Sequence, residues 1–161
     1  LTEKSVKEYN TNTKMNPPLR ANQDKEALCQ GLVDGTIDVI ATDHAPHSSI
    51  EKEVEFDMAA NGIIGLETSV SLGLKLVEDE VITITDLVEK MSTNPARILG
   101  LESGLTIGNP ADITIIDPDI SFRVDAHSFQ SLSSNTPFDG WELKGKAVLT
   151  MVEGKIVFSD L

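Results

Sequence analysis

The sequence predicts an α/β protein. Three observations carry this: a short, largely apolar run, Ile37 to Thr42, that stops at a carboxylate; segments before residue 100 with apolar residues at helical spacing; and glycine-punctuated, strand-like sequence after Gly100. A strand buried on both faces of a parallel sheet reads as an unbroken apolar run, and reacting groups in such folds stand at strand C-terminal ends, where Asp43 falls.

Residues 1 to 23 are polar and broken by Asn10, Asn12, Asn16, Pro17 and Pro18, which predicts a helical turn near Thr2 to Tyr9 followed by a loop. From Asp24 to Val33, Ala27, Leu28, Leu32 and Val33 recur at helical spacing, with Asp24 as cap and Gly35 as stop. The strand Ile37 to Thr42 leads into a charged loop, Ser48 to Asn61. A helix over Glu67 to Val77 then carries Leu66, Val70, Leu74 and Val77 on one face, and another runs from Thr85 to Leu99. That last helix opens with a hydroxyl cap and Asp86, and Asn94-Pro95 marks a break or fresh start within it. Strands follow at Ile113 to Ile116, Phe122 to Val124, Ala147 to Val152 and Lys155 to Phe158, the last two joined by a two-residue hairpin turn, Glu153-Gly154.

The chain has 161 residues, 40% of them hydrophobic, enough for one core, and no apolar run approaches the length of a membrane-spanning helix. With 26 acidic against 13 basic residues, the net charge of -13 argues against nucleic acid or an anionic membrane as partner and favours a small-molecule ligand. Cys29 is the only cysteine and the N-terminus carries no signal-peptide pattern, so the expected compartment is the cytoplasm. Leu1 in place of methionine suggests a piece of a longer protein.

Asp43 could ligate a metal through one oxygen and take a proton from metal-bound water through the other; equally, it could cap the next turn or pair with an arginine. His44 and His47 beside it resemble a ligand cluster, but Asp-His-x-x-His has no standard metal spacing, and loop imidazoles bonded to backbone fit as well. Lys14 to Arg20 is stiffened by Pro17 and Pro18, which would pre-place the Asn16 amide for a cyclic amide and Arg20 for a carboxylate, or form an ordinary turn. Gly62 and Gly65 flank a loop entering a helix, where free N–H groups or plain turn chemistry would explain them. Cys29 reads as a structural thiol, His127 as surface, and Phe138 with Trp141 as packing residues.

Together, Lys14 to Arg20, Asp34 to Asp38, Ile40 to His47, Gly65-Leu66-Glu67-Thr68, Ser92 to Leu101, Gly108 to Asp117 and Asn135 to Trp141 resemble the C-terminal portion of a bacterial-type dihydroorotase of the amidohydrolase superfamily. The resemblance implies the C-terminal part of a (β/α)8 metallo-dependent hydrolase barrel over residues 1–100 (the last β/α unit and terminal helices), and part of a small β-sandwich domain over 101–161. It also implies zinc-dependent interconversion of N-carbamoyl-L-aspartate and (S)-dihydroorotate in pyrimidine synthesis. By the same resemblance Asp43 is the metal-contacting general acid/base, Asn16 and His47 contact substrate, and Asn61 and Gly62 offer main-chain contacts. The family often has an aromatic residue where Asn61 stands. Arg20 and His44 would stand behind these residues.

The family's His-x-His pair, bridging carboxylate or carboxylated lysine, and further histidine ligands are absent from these 161 residues. The chain alone is therefore expected to be inactive, to bind Zn2+ weakly or not at all, and to self-associate or form homo-oligomers through open sheet edges. Two alternatives stand beside this reading: a hydantoinase or allantoinase relative, and a non-catalytic dihydroorotase-like subunit supporting an aspartate transcarbamoylase.

Overall fold

The computed structural model describes residues 1–161, which gather into two compact units. The first comprises Leu1–Asp34, Thr42–Ser69 and Arg123–Glu142; the second comprises Gly35–Ala41, Val70–Phe122 and Leu143–Leu161.

In the first unit, short 3-10 turns at Glu3–Val6 and Thr11–Thr13 precede helix α1, Asn22–Val33. Asp24 lies at the third helical position, where its carboxylate accepts from the N–H of Ala21, the true N-cap, at 3.1 Å. The carboxylate thus reaches back to the helix start instead of flanking it. The expected stop holds, since Gly35 takes φ +81 just past Asp34. The stripe read as core is different. Ala27, Leu28 and Val33 face solvent and only Gly31 is buried, because no other element of this chain covers that side of α1.

Within the loop from Ser48 to Asn61 a single helical turn, α2, spans Ser49–Lys52. Helix α3, Leu66–Glu78, begins in the first unit and continues into the second. The unit's core mixes apolar groups (Ala59, Ile64, Val124, Ala126, Phe138) with buried polar ones: Thr13, Lys52, Thr68, Asn135 and Thr136. Phe138 and Trp141 stack edge-to-face at 5.2 Å, as expected of packing residues.

The second unit corrects one expectation. Ile37 to Thr42 forms no strand. A strand exists only by pairing, and the three strands of this chain pair among themselves. The segment's bonds go to helical neighbours: Ile40 N–H donates to Lys90 O at 3.0 Å, Ile37 O accepts from Lys90 Nζ at 2.6 Å, and Asp38 O accepts from Asn94 Nδ2 at 3.0 Å. The long helix is segmented. Helix α4, Ile84–Val88, is followed by a π-helical turn at Glu89–Thr93 and helix α5, Asn94–Leu99, with Pro95 in its first turn. Its cap is Thr83, whose hydroxyl accepts from Asp86 N–H at 3.2 Å while Asp86 reaches back to Thr83 N–H at 2.8 Å; Thr85 is already helical.

Strands β1 (Ile113–Arg123), β2 (Glu142–Val152) and β3 (Lys155–Ser159) form one sheet in that order. The pairing of β2 with β3 is antiparallel through Glu153-Gly154, at φ +48 and +75, the left-handed pair that a two-residue hairpin requires. Leu74, Ile82, Leu87, Ala96, Leu143, Val148 and Leu149 make the core. Gly145, at φ +84, lies so close to Leu74 that any side chain there would collide with it.

Candidate active site

Every residue singled out from the sequence for chemistry lies in the first unit, on three loops: 14–20, 43–47 and 59–65. Asp43 ends the Ile37–Thr42 segment with φ +43, a left-handed conformation that Asp adopts more readily than most residues and that costs on the order of 1 kcal/mol. Its side chain is exposed. Such strain is kept where the surrounding structure over-determines it, a pattern concentrated at functional sites.

His44 turns to the start of α3. Its Nδ1 accepts from Gly65 N–H at 3.1 Å and Leu66 N–H at 3.4 Å, so the neutral ring carries its proton on Nε2. It serves as helix cap. Gly65 accordingly sits close to the backbone, where a Cβ would fall 2.9 Å from Thr42 O. His47 is engaged at both ring nitrogens: Nε2 donates to Asn61 O at 2.9 Å, and Nδ1 stands 3.7 Å from a Glu51 carboxylate oxygen. Hydrogen bonds from the Ser48 hydroxyl and Ser48 N–H hold the Glu51 carboxyl below its ordinary pKa, and His47 adds to this.

Three side chains that local sequence gave no reason to single out bind these loops together. Lys14 Nζ donates to Asp57 O at 2.8 Å and Ala59 O at 2.6 Å, while Lys14 O accepts from Gly62 N–H at 2.9 Å. Lys52, 3% exposed, donates from Nζ to Ala60 O at 2.8 Å and Gly62 O at 3.1 Å. Its pKa is lowered, first by burial and then by the charge of Lys14. Asn135 bonds to both Ala45 and Gly62. A lysine flanked by Glu51 and Glu53 reads as surface, and the one sequence signal for Asn135 is its place at the head of the Asn135 to Trp141 motif.

Asn16 is exposed beside a cis Asn16-Pro17 bond, and Arg20 pairs loosely with Asp24 at 3.7 Å on the surface. Asn61 is exposed with its carbonyl on His47; Gly62 is half-buried at φ +108 with N–H and C=O both taken by the protein. A polar cleft of about 300 Å3 opens beside His47, lined by Asn12, Ser48, Lys52, Ser134 and Asn135 among others, and neither Asp43 nor Asn16 lines it. Cys29 is half-buried and His127 exposed.

The Amidohydrolase family model matches residues 2–157. This chain belongs to the amidohydrolase family. The resemblance drawn from the loop motifs therefore stands at family level, and so does the predicted fold class. The chain is 62% identical to a dihydroorotase of Desulforapulum autotrophicum over 158 residues, covering 98% of this chain and 37% of that protein. Among solved structures it resembles the L-hydantoinase (dihydropyrimidinase) of Arthrobacter aurescens: TM-score 0.93, 35% identity, 99% of this chain and 37% of that one. An inactive dihydroorotase-like domain of a CAD-like multifunctional protein from Chaetomium thermophilum shares the fold at TM-score 0.62 and 21% identity, over 88% of this chain and 38% of that one. The amidohydrolase chain thus spans little more than a third of the relatives it matches. None of its helices is long and apolar enough to cross a membrane.

Proposed function

We propose that this chain is the C-terminal portion of a dihydroorotase, with residues 1–100 closing the barrel and 101–161 completing the small β domain. The observation that carries this reading is Asp43, an exposed carboxylate held at positive φ where the Ile37–Thr42 segment enters the 43–47 loop, in a chain 62% identical to a dihydroorotase. Ring opening adds water across an amide C–N bond. A carboxylate oxygen of Asp43 takes one proton from the attacking water as the new C–O bond forms, and returns it to the ring nitrogen as the C–N bond breaks. Asn16 presents donor and acceptor to the cyclic amide, and the His47 and Asn61–Gly62 loops form the wall against which the ring is oriented.

No three His, Cys, Asp or Glu side chains of this chain converge on a common point. Its residues alone do not fit a zinc centre; in the whole protein Asp43 is the residue offered to such a metal. The reading also includes cytoplasmic location, an inactive isolated chain, self-association through β3, whose Ile156 and Val157 are 59% and 63% exposed, and a transcarbamoylase as partner.

The test is turnover by the whole protein in which this chain occurs, offered dihydroorotate, hydantoin and allantoin. Preference for dihydroorotate supports the reading. Preference for a hydantoin would favour the L-hydantoinase likeness, and turnover of none would favour a non-catalytic subunit.

A further inference from the structure

Asn135 is 5% exposed and lies 88 residues from His47 in sequence, yet it touches both loops that form the proposed substrate wall. Its Oδ1 accepts from His47 N–H at 3.2 Å. Its Nδ2 donates to Ala45 O at 2.9 Å and Gly62 O at 3.3 Å, and its own main-chain O accepts from Ile64 N–H at 3.1 Å. The amide orientation is dictated by these partners. A flipped amide would set N–H against N–H and oxygen against two carbonyls.

The same side chain thus fixes the backbone on either side of Pro46, leading into His47, and the carbonyl next to Asn61, the residue that accepts from the His47 ring. Three bonds from one buried, short side chain leave the two loops one relative placement. Ala45 N–H bonding to Ile63 O at 2.9 Å and the His47 ring bonding to Asn61 O at 2.9 Å bridge them directly, but neither ties down the Ala45 carbonyl or the His47 N–H. We propose that Asn135 is a positioning residue: it sets the spacing between the His47 loop and the Asn61–Gly62 turn, and through it the fit of the cyclic substrate. This rests on the function proposed above, and it deepens that reading by naming the group that holds the pocket wall.

A residue that only stabilised the fold would lower the folded fraction and leave KM alone. A residue that positions the wall moves KM. In the whole protein, Asn135→Ala is expected to raise KM for dihydroorotate about tenfold or more with kcat within about threefold, as expected when interactions common to ground and transition states are lost. In the same variant, amide hydrogen exchange should quicken about tenfold over residues 43–48 and 60–64, with residues 84–99 unchanged, because Ala45 O and His47 N–H lose their partner and Gly62 O keeps only Lys52.

Should Asn135→Ala not fold, Asn135→Asp is measured instead. It keeps the acceptor for His47 N–H, loses both donors, and should give the same rise in KM and faster exchange over the same two segments. Both changes together support the proposal; either alone, or neither, overturns it. If the unsubstituted protein does not turn over dihydroorotate, the function reading has failed. The exchange pattern then decides alone: faster exchange in both loops supports the coupling, and exchange unchanged or faster in one loop only overturns it.

Discussion

The two units are held by different forces. In the second, seven buried aliphatic side chains from α3 to α5 and β2 make an apolar core, with Ser71 and Lys90 as its buried polar members. In the first, the buried set includes Thr13, Lys52, Thr68, Asn135 and Thr136, and the loops are joined by side chains reaching main-chain carbonyls. An apolar contact is non-directional and tolerates sliding, whereas a bonded carbonyl fixes a position within a few tenths of an ångström. The unit with the candidate chemistry is the one ordered by directional bonds. Where a reacting group must be placed, hydrogen bonds set the geometry.

The largest stability effect should come from the apolar unit. Leu87 is 4% exposed and lies against Gly73, where a Cβ would fall 2.7 Å from Leu87 Cδ1. Leu87→Ala should cost about 2–5 kcal/mol, read by denaturant unfolding, through lost transfer energy and the cavity left behind.

A smaller loss with a local signature is expected from the bonded unit. At Gly62, φ is +108 and a Cβ would lie 2.6 Å from the Cβ of Ala45 and 3.7 Å from His47 Nε2. Gly62→Ala should cost about 1–3 kcal/mol in strain, and it should move the His47 ring resonances in NMR spectra while those of α4 and α5 stay in place. If Gly62→Ala cost as much as Leu87→Ala, or left His47 unmoved, the contrast between the units would not hold.

The smallest effect is one of pH. Glu51 and Asp86 both have carboxyl pKa values lowered chiefly by hydroxyl and N–H donors, from Ser48 and Thr83 respectively. In each case the unfolded chain binds the proton more readily. The stabilisation is therefore full above the ordinary carboxylate values and is lost as pH falls through the lower folded values. Glu51→Gln and Asp86→Asn should each flatten the acid limb of a Tm-versus-pH curve. Both groups are solvent-exposed, so the changes should be small.

Local signals in the sequence reached far in some places. The hairpin at Glu153-Gly154, the stop at Gly35 and the helical span of α3 are written in neighbouring residues, so the pattern suffices to place them, although of its expected apolar face Leu74 is buried and Leu66 is exposed. Ile37 to Thr42 failed as a strand because strand formation depends on a partner distant in sequence, and in this chain Lys90 and Asn94 take its carbonyls. The cap at Thr83 rather than Thr85 was a choice between two hydroxyls that only geometry separates. Asp43 and His47 stood out by residue type. Lys52 and Asn135 did not: one lies among glutamates, and the other joins loops more than 70 residues away.

The most direct measurement is dihydroorotate turnover by the whole protein with Asp43→Asn, which keeps the size and the left-handed tolerance of the side chain but removes its basic oxygen. Turnover should fall by about 10^2 to 10^4, with the unfolding midpoint unchanged. Turnover within a few-fold of the unsubstituted protein would contradict the role of Asp43 as the proton-carrying group.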